Sequence, residues 1–224
     1  MLIESISKGF SIYLNTFSRF TLLIFPLIII SGFLSTLSTG LILDETTRYT
    51  GLILFILYNF LILPFLTIFS ILLANDLSQN IKREPLAYYL VSVNYIFRIF
   101  ILSIISAILI GLGFFLFIIP GIYLAGMVIF VNFFVILRNE SILVALQESF
   151  KTGNQNIGSC IGAALFFWVI TILTTLIIIR LISNDGDTSN VPFILSSMSS
   201  CFIIYIQMVL ISFPILQLYR KLVT

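Results

Sequence analysis

The sequence predicts an all-α membrane protein with six transmembrane helices in three hairpins, each preceded by a short amphipathic helix at the membrane interface. Composition gives the first observation: 60% of the 224 residues are hydrophobic and 9% are charged, against roughly one-quarter charged in a soluble domain. Length gives the second, because six apolar stretches have about the 17–25 residues that a membrane-crossing helix needs. The third is that the basic residues gather in alternate connecting segments.

The six stretches are separated by charged residues and turn residues. The first is longer than the roughly 7–15 apolar residues of a signal peptide, and no cleavage pattern follows it, so we expect it to be retained. None shows the alternation of apolar and polar residues that a barrel strand needs. The predicted spans of this single membrane domain, 1–224, are 20–43, 51–74, 97–118, 120–137, 159–182 and 193–215.

The run Ile99–Leu137 contains no charged residue and has to hold two of these spans. A single helix of that length would extend about 58 Å, nearly twice the roughly 30 Å of the hydrocarbon core. Pro120-Gly121 is the strong pair of helix-breaking residues near its midpoint. Because proline disfavours helix in the residue before it and glycine tolerates tight turns, we expect the chain to reverse there.

The distribution of Lys and Arg predicts that both termini are cytoplasmic. With that orientation only Arg48 and Arg180 lie outside, and an excess of basic residues in short cytoplasmic segments is typical of membrane proteins. The nine residues placed inside are Lys8, Arg19, Lys82, Arg83, Arg98, Arg138, Lys151, Arg220 and Lys221.

Three segments of helical period, each too short or too polar to cross the membrane, precede the pairs of spans. The second is predicted to begin at Glu84-Pro85, and the third near Asn139 with a stop at Gly153. They either lie in the interface against lipid headgroups or a partner, or fold against the bundle over the helix ends. None has the roughly four to eight clustered basic residues typical of anionic-lipid binding. Their apolar faces are Ile3, Ile6, Phe10, Leu14 and Phe17; Leu86, Tyr89, Val93 and Ile96; and Ile142, Leu146 and Phe150.

The sequence offers no constellation of catalytic residues. It has no histidine, which removes the commonest general base and metal ligand, and it has no phosphate-binding loop. Asp185 and Asp187 are interpreted as part of a polar turn, and Cys160 and Cys201 as small apolar side chains not joined by a disulfide. We therefore predict that the chain is not an enzyme, has no catalytic, cofactor or metal residues, and binds the lipid bilayer but no nucleic acid.

Polar side chains inside the predicted spans leave two interpretations open. Asn59, Asn132 and Gln207, with several threonines and serines, either bridge neighbouring helices or line a transport path. Arg180 lies near the outer end of its span, where it can reach the interface. Further polar residues of this kind are Thr171, Thr174, Thr175, Ser196, Ser197, Ser199 and Ser200.

Small residues and prolines also predict local features of the helices. Gly158 and Gly162 have the four-residue spacing that lets membrane helices approach closely. Pro64 and Pro214 are expected to kink the second and sixth spans. Kinked helices can frame transporter sites, but the inverted halves typical of many transporters are not visible in this sequence.

The stretch IIPGIYLAGMVIFVNFFVILRNESILVALQESFKTGNQNIG, 118–158, resembles the YciC family of bacterial inner-membrane proteins. The matching residues are Pro120 and Gly121 in a P-G-I motif, and Ala145, Leu146 and Ser149 in an amphipathic A-L-x-x-S-F segment. A broader relative is the membrane domain attached to some glycerophosphodiester phosphodiesterases, whose catalytic domain and activity we do not expect here. The resemblance implies a six-span bacterial inner-membrane protein and supplies no reaction and no catalytic residues.

Two functional hypotheses follow. The first is a non-enzymatic multi-pass protein of the bacterial inner membrane that supports membrane and envelope organisation through lipid or protein contacts. The second is a transporter or permease subunit with Asn59, Asn132 and Gln207 along its path, which requires these side chains to share a cavity.

Overall fold

The structure, a computed structural model, describes residues 1–182 and 192–223. Within these residues every regular element is helical. Two π-helical segments, Tyr58–Ile62 and Ile211–Ile215, interrupt the α-helices. The α-helices are α1 Leu2–Leu43, α2 Arg48–Leu57, α3 Leu63–Ser78, α4 Pro85–Leu116, α5 Ile118–Val128, α6 Val131–Arg138, α7 Ile142–Gln155, α8 Ile157–Ile182, α9 Phe193–Leu210 and α10 Leu216–Val223.

In the described part of the chain, six helical stretches are long and apolar enough to cross a membrane, which confirms the number of spans predicted from the sequence. They are α1, α2 with α3, α4, α5 with α6, α8, and α9 with α10. The stretches α5–α6 and α9–α10 are the most buried and form the centre of the bundle, whereas α4 and α8 are peripheral. Stretches that follow one another in the chain are also in contact: α1 packs against α2, α3 against α4, and α4 against α5.

Two of the three predicted lead-in helices are not separate helices. The first continues without a break into α1, and the second into α4. The third is separate, but it begins at Ile142 rather than Asn139 and extends past Gly153 to Gln155. Asn139 instead ends α6 in the left-handed conformation, at φ 53°, which asparagine tolerates better than most residues.

The predicted apolar faces of α1 and α4 are only partly buried, while small or hydroxylated residues between their positions are buried. Ile3 and Leu14 in α1 are 82% and 69% exposed, whereas Ser5 and Gly9 are buried. In α4, Tyr88 and Ser92 are fully buried beside the exposed Leu86 and Val93. Such burial is typical of membrane helices, which approach one another through small residues and turn apolar side chains to lipid.

The chain reverses at Phe117, three residues before the predicted turn. Phe117 alone is extended between α4 and α5, and Pro120 is the third residue of α5. A backbone N–H at that position would have no intrahelical partner, so proline costs no hydrogen bond. Gly121 serves packing: a Cβ on Gly113 would lie 2.8 Å from the Gly121 Cα. The Pro-Gly pair therefore lies just inside a helix start.

Both prolines that were predicted to kink their helices lie in or close to a π-helical segment. Pro64 is the second residue of α3, two residues after the end of the segment Tyr58–Ile62, and Pro214 lies inside Ile211–Ile215. Proline removes one intrahelical hydrogen bond and crowds the preceding turn, and the wider π turn provides the room. The Cα of Pro214 would lie 2.7 Å from a Cβ on Gly9, so α1 contacts this segment through a glycine.

Helix α1 packs antiparallel to the last helical stretch, α9 with α10, along most of its length. Glu4 forms an ion pair with Lys221 at one end, and Thr36 is hydrogen-bonded to Ser200, 3.1 Å away, at the other. Between them, a Cβ on Gly32 would clash with the Cys201 Sγ and lie 2.8 Å from the backbone nitrogen of that residue. The N- and C-terminal ends of the described chain are therefore at the same end of the bundle.

Helix α7 packs against α5 and α6 through a row of small residues. Ala145 and Ser149 are fully buried, and the Ser149 hydroxyl donates a 2.6 Å hydrogen bond to the carbonyl of Met127. Met127 lies in the last turn of α5, where carbonyls lack an amide partner from a following turn. Two residues of the resemblance motif thus attach α7 to the bundle.

Candidate functional site

A large apolar groove lies between α1 and α9. Its volume is about 940 Å³. On α1 it extends from Tyr13 to Phe33, about 30 Å at the helical rise of 1.5 Å per residue. None of the lining residues is charged. They are Tyr13, Phe17, Thr21, Phe25, Ile28, Ile29, Phe33, Phe193, Ile194, Ser197, Met198, Cys201, Phe202, Tyr205 and Ile206.

Two contacts between α1 and α9 fix the ends of the groove. Toward the α9 start, the rings of Phe33 and Phe193 meet edge to face, 5.3 Å between centroids. Toward the other end, the Tyr205 hydroxyl is hydrogen-bonded to Tyr13, 3.0 Å away, and to Thr21, 2.6 Å away. The intervening wall is open and aliphatic or aromatic, so the groove fits an extended apolar ligand.

Few polar groups reach the groove, and most satisfy one another. The three hydroxyls around Tyr205 form one cluster. Within the described residues, the Ser197 hydroxyl is buried without a hydrogen-bond partner. A single unpaired hydroxyl can accept or donate one bond to a ligand, whereas an ion path needs a series of polar groups. The groove is therefore suited to an apolar chain rather than to an ion.

A buried carboxylate, Asp76, forms the second notable cluster. The residue is 2% exposed, near the end of α3. Its Oδ2 lies 3.1 Å from the Arg83 Nε and accepts a 3.2 Å hydrogen bond from the Tyr88 hydroxyl. The guanidinium of Arg83 also lies 5.6 Å from the centroid of the Tyr88 ring. Buried charges are retained in proteins where they are paired and hydrogen-bonded in this way.

Asp76 and the neighbouring Asn75 together join the end of α3 to α4 and α10. The Asp76 backbone carbonyl accepts a 2.9 Å hydrogen bond from the Ile81 N–H, closing the end of α3 with Asn80 left-handed at φ 56°. The neighbouring Asn75 Oδ1 accepts a 2.7 Å hydrogen bond from Arg220 of α10. The cluster thus holds the end of α3 to the start of α4 and to α10, which indicates a structural role.

Asp76 was not predicted as a buried residue, because the predicted span ended at residue 74. The helix continues to Ser78, so the carboxylate lies inside the bundle rather than in a connection. A usable signal was present: Arg83 and Tyr88 follow seven and twelve residues later across a short break. Such a spacing lets both side chains return to the end of the preceding helix.

The three amides proposed for a transport path lie in different elements. Asn59 lies in the π-helical segment Tyr58–Ile62, and its amide nitrogen donates a 2.8 Å hydrogen bond to the Phe55 carbonyl of its own turn. Asn132 lies in α6 and Gln207 in α9. None of them lines the α1–α9 groove. A path through these residues stays a prediction.

Several hydroxyls in the spans form bonds within one helix. Thr175 donates to the Thr171 carbonyl at 2.9 Å, and Ser199 to the Ser196 carbonyl at 2.7 Å. These intrahelical bonds agree with a role of the hydroxyls in helix structure and packing rather than in a transport path. Arg180 is exposed in the last turn of α8.

Of the two glycines predicted to allow close packing of helices, Gly158 and Gly162, only Gly162 lies close to another helix. Nothing lies within 4 Å of a Cβ on Gly158, whereas one on Gly162 would meet the Leu2 side chain at 2.6 Å. The prediction that a helix approaches closely at Gly158 is therefore wrong. Of the two thiols, Cys160 is buried in α8 and Cys201 lines the groove on α9, and neither is in a disulfide.

Within residues 1–182 and 192–223, no group of three or more Cys, Asp or Glu side chains is placed to hold a metal ion. The Asp185 and Asp187 pair lies outside the described residues. Comparisons of this chain with protein-family models, curated proteins and solved structures give no match.

Proposed function

We propose that this protein is a six-span, non-enzymatic protein of the bacterial inner membrane that holds a phospholipid acyl chain in the α1–α9 groove and so supports membrane organisation. Its six spans form three hairpins, and both termini are cytoplasmic. Helix α7 lies at the cytoplasmic interface. The location follows from the excess of basic residues in alternate connections and from the resemblance to the YciC family.

The observation that carries the proposal is the match between the groove and an acyl chain. The groove lies between two helices that are each apolar enough to span a membrane. Its length of about 30 Å equals the thickness of the hydrocarbon core, and no charged side chain lines it. A groove of this kind opening at membrane depth meets lipid tails rather than water, so a phospholipid is the occupant to expect.

The exposed apolar stripe of α1 supports lipid contact beyond the groove. Ile3 and Leu14 are mostly exposed, while the same helix attaches to the C-terminal segment through Ser5 and Gly9. An apolar face left outward at the start of a membrane helix places that turn in the interfacial region.

Native mass spectrometry of the detergent-purified protein tests the lipid proposal. The unaltered protein should retain about one phospholipid after extensive washing, because the groove shields the chain from detergent. Ser197→Phe places a ring in the groove and should remove the retained lipid. Retention of the same lipid by this variant, or none by the unaltered protein, contradicts the proposal.

Ser103→Phe is the matched control. Ser103 is exposed on the peripheral helix α4, where its hydroxyl donates to the Ile99 carbonyl of the same helix. The substitution is chemically identical but lies outside the groove, so lipid retention should be unchanged. Equal loss in both variants would indicate a general effect on the bundle.

Reporter fusions test the orientation. A reporter at Thr47, in the connection between α1 and α2, should be active in the periplasm, and so should one at Thr188, which lies outside the described residues. Reporters at either terminus should be active in the cytoplasm. A cytoplasmic signal at Thr47 or Thr188 contradicts this topology.

A further inference from the structure

A second cavity lies where the first turns of α1 meet α10. Its volume is about 390 Å³. Three of its residues are cations and one is a carboxylate, which gives a formal charge of +2. Each of the two terminal segments has few basic residues, but the antiparallel packing of the termini brings these residues together. The lining residues are Glu4, Ser5, Lys8, Gln217, Arg220 and Lys221.

Two of the cations are held in place by contacts with other helices. The Lys221 ammonium pairs with the Glu4 carboxylate. The Arg220 Nη2 donates to the Asn75 carbonyl at 3.3 Å and to its Oδ1 at 2.7 Å. Lys8 lies one turn beyond Glu4 on α1 and is exposed. The positive charge is thus arranged in advance, which lowers the cost of ordering these side chains around an anion.

Gln217 indicates what kind of ligand the cavity takes. The residue is 5% exposed, and its Nε2 has no hydrogen-bond partner within the described part of the chain. A buried amide nitrogen without an acceptor is costly. The Ser5 hydroxyl lines the same cavity and donates a 3.1 Å hydrogen bond to the Met1 carbonyl, but it does not accept one from Gln217. An oxyanion in the cavity would provide the missing acceptor.

We propose that this cavity binds a phosphate group. Lys and Arg are the side chains that most often hold phosphate oxygens, and basic pockets between membrane helices on the cytoplasmic side hold anionic headgroups. The phosphate comes either from an anionic phospholipid headgroup or from a soluble phosphate. The cavity is separate from the α1–α9 groove, so the two sites can be tested independently.

The test measures binding to the full-length protein in a neutral detergent. Three probes are compared: inorganic phosphate, short-chain phosphatidylglycerol and short-chain phosphatidylcholine. Tighter binding of phosphatidylglycerol than of the other two supports a headgroup site, and saturable binding of inorganic phosphate alone supports a site for soluble phosphate. Absence of saturable binding of both anionic probes overturns the proposal.

Two variants separate binding from folding. Lys8→Gln should weaken binding of the anionic probe about tenfold, the loss expected for one charge-assisted hydrogen bond. Gln217→Met removes the unpaired amide at similar volume, so it should leave the thermal stability of the ligand-free protein unchanged or higher while weakening binding. A structural role for Gln217 predicts the reverse, a loss of stability without a change in affinity.

Lys82→Gln and Ser197→Phe are the controls. Lys82 is an exposed cation outside the cavity, so its loss should leave affinity unchanged; an effect equal to that of Lys8→Gln would mean unspecific surface attraction and overturn the proposal. Ser197→Phe blocks the groove but not the cavity, and phosphate binding should persist in it. Failure of the lipid groove is thus distinguishable from failure of this site.

Discussion

Replacing Asp76 with asparagine should destabilise the protein by about 2 kcal/mol. The carboxylate Oδ2 is bonded to the Arg83 Nε at 3.1 Å and to the Tyr88 hydroxyl at 3.2 Å, and bonds to charged groups contribute about 1.5–3 kcal/mol each. Arg83 is 36% exposed, so water replaces much of its bond and its share falls below that range. Tyr88 is fully buried, so water cannot compensate the weakening of its bond to a neutral amide.

Unfolding in mixed micelles measures this effect, with fluorescence of the single tryptophan as the signal. Trp168 of α8 stacks on Phe114 of α4, 5.3 Å between ring centroids, so separation of the helices changes its environment. Tyr88→Phe should cost about 1.5–3 kcal/mol, the value of a hydrogen bond to a charged group. The double variant Asp76→Asn with Arg83→Gln should show a coupling free energy of about 1 kcal/mol between the two substitutions. A change below about 0.5 kcal/mol for Asp76→Asn, with no coupling, would refute a charged, paired carboxylate.

Packing supplies two further predictions. Gly32→Ala should destabilise the protein by about 1–3 kcal/mol, because its Cβ would clash with the Cys201 Sγ and lie 2.8 Å from the backbone nitrogen of that residue. Gly158→Ala, where the space is open, should be neutral or stabilise by up to about 1 kcal/mol; equal losses in thermal melts of the two variants would contradict the helix contact. Ser149→Ala should cost about 1–3 kcal/mol because it leaves the buried Met127 carbonyl without its hydroxyl donor. Ser103→Ala, which removes a bond within one exposed turn, is the control and should change stability little.

The number of spans was predictable because length and hydropathy alone decide which helices can cross a bilayer. In contrast, the sequence did not allow us to predict which face of each helix is buried. In a soluble protein the apolar stripe at Ile3, Leu14 and Phe17 would mark the core, but lipid accepts apolar side chains as readily as a protein interior does. The buried positions are instead Ser5 and Gly9, where a helix backbone can approach.

The candidate sites depend on pairing between distant parts of the chain. The groove forms because α1 and α9 meet at Tyr13–Tyr205 and Phe33–Phe193, contacts that no local pattern specifies. The continuous helix through Arg19 was also unpredictable from periodicity, since a change in polarity does not by itself end a helix. Local chemistry was more informative at the prolines that were predicted to kink their helices, because Pro214 lies inside a π-helical segment and Pro64 lies two residues after one.

Photocrosslinking from the groove tests the lipid proposal most directly. A benzophenone amino acid replaces Phe25, a groove residue 51% exposed, or Leu112, 56% exposed on α4. The protein is irradiated after extraction into detergent, and the adducts are identified by mass. A retained acyl chain predicts a phospholipid adduct at position 25 and only detergent adducts at position 112. Detergent adducts alone at both positions would contradict lipid binding in the groove.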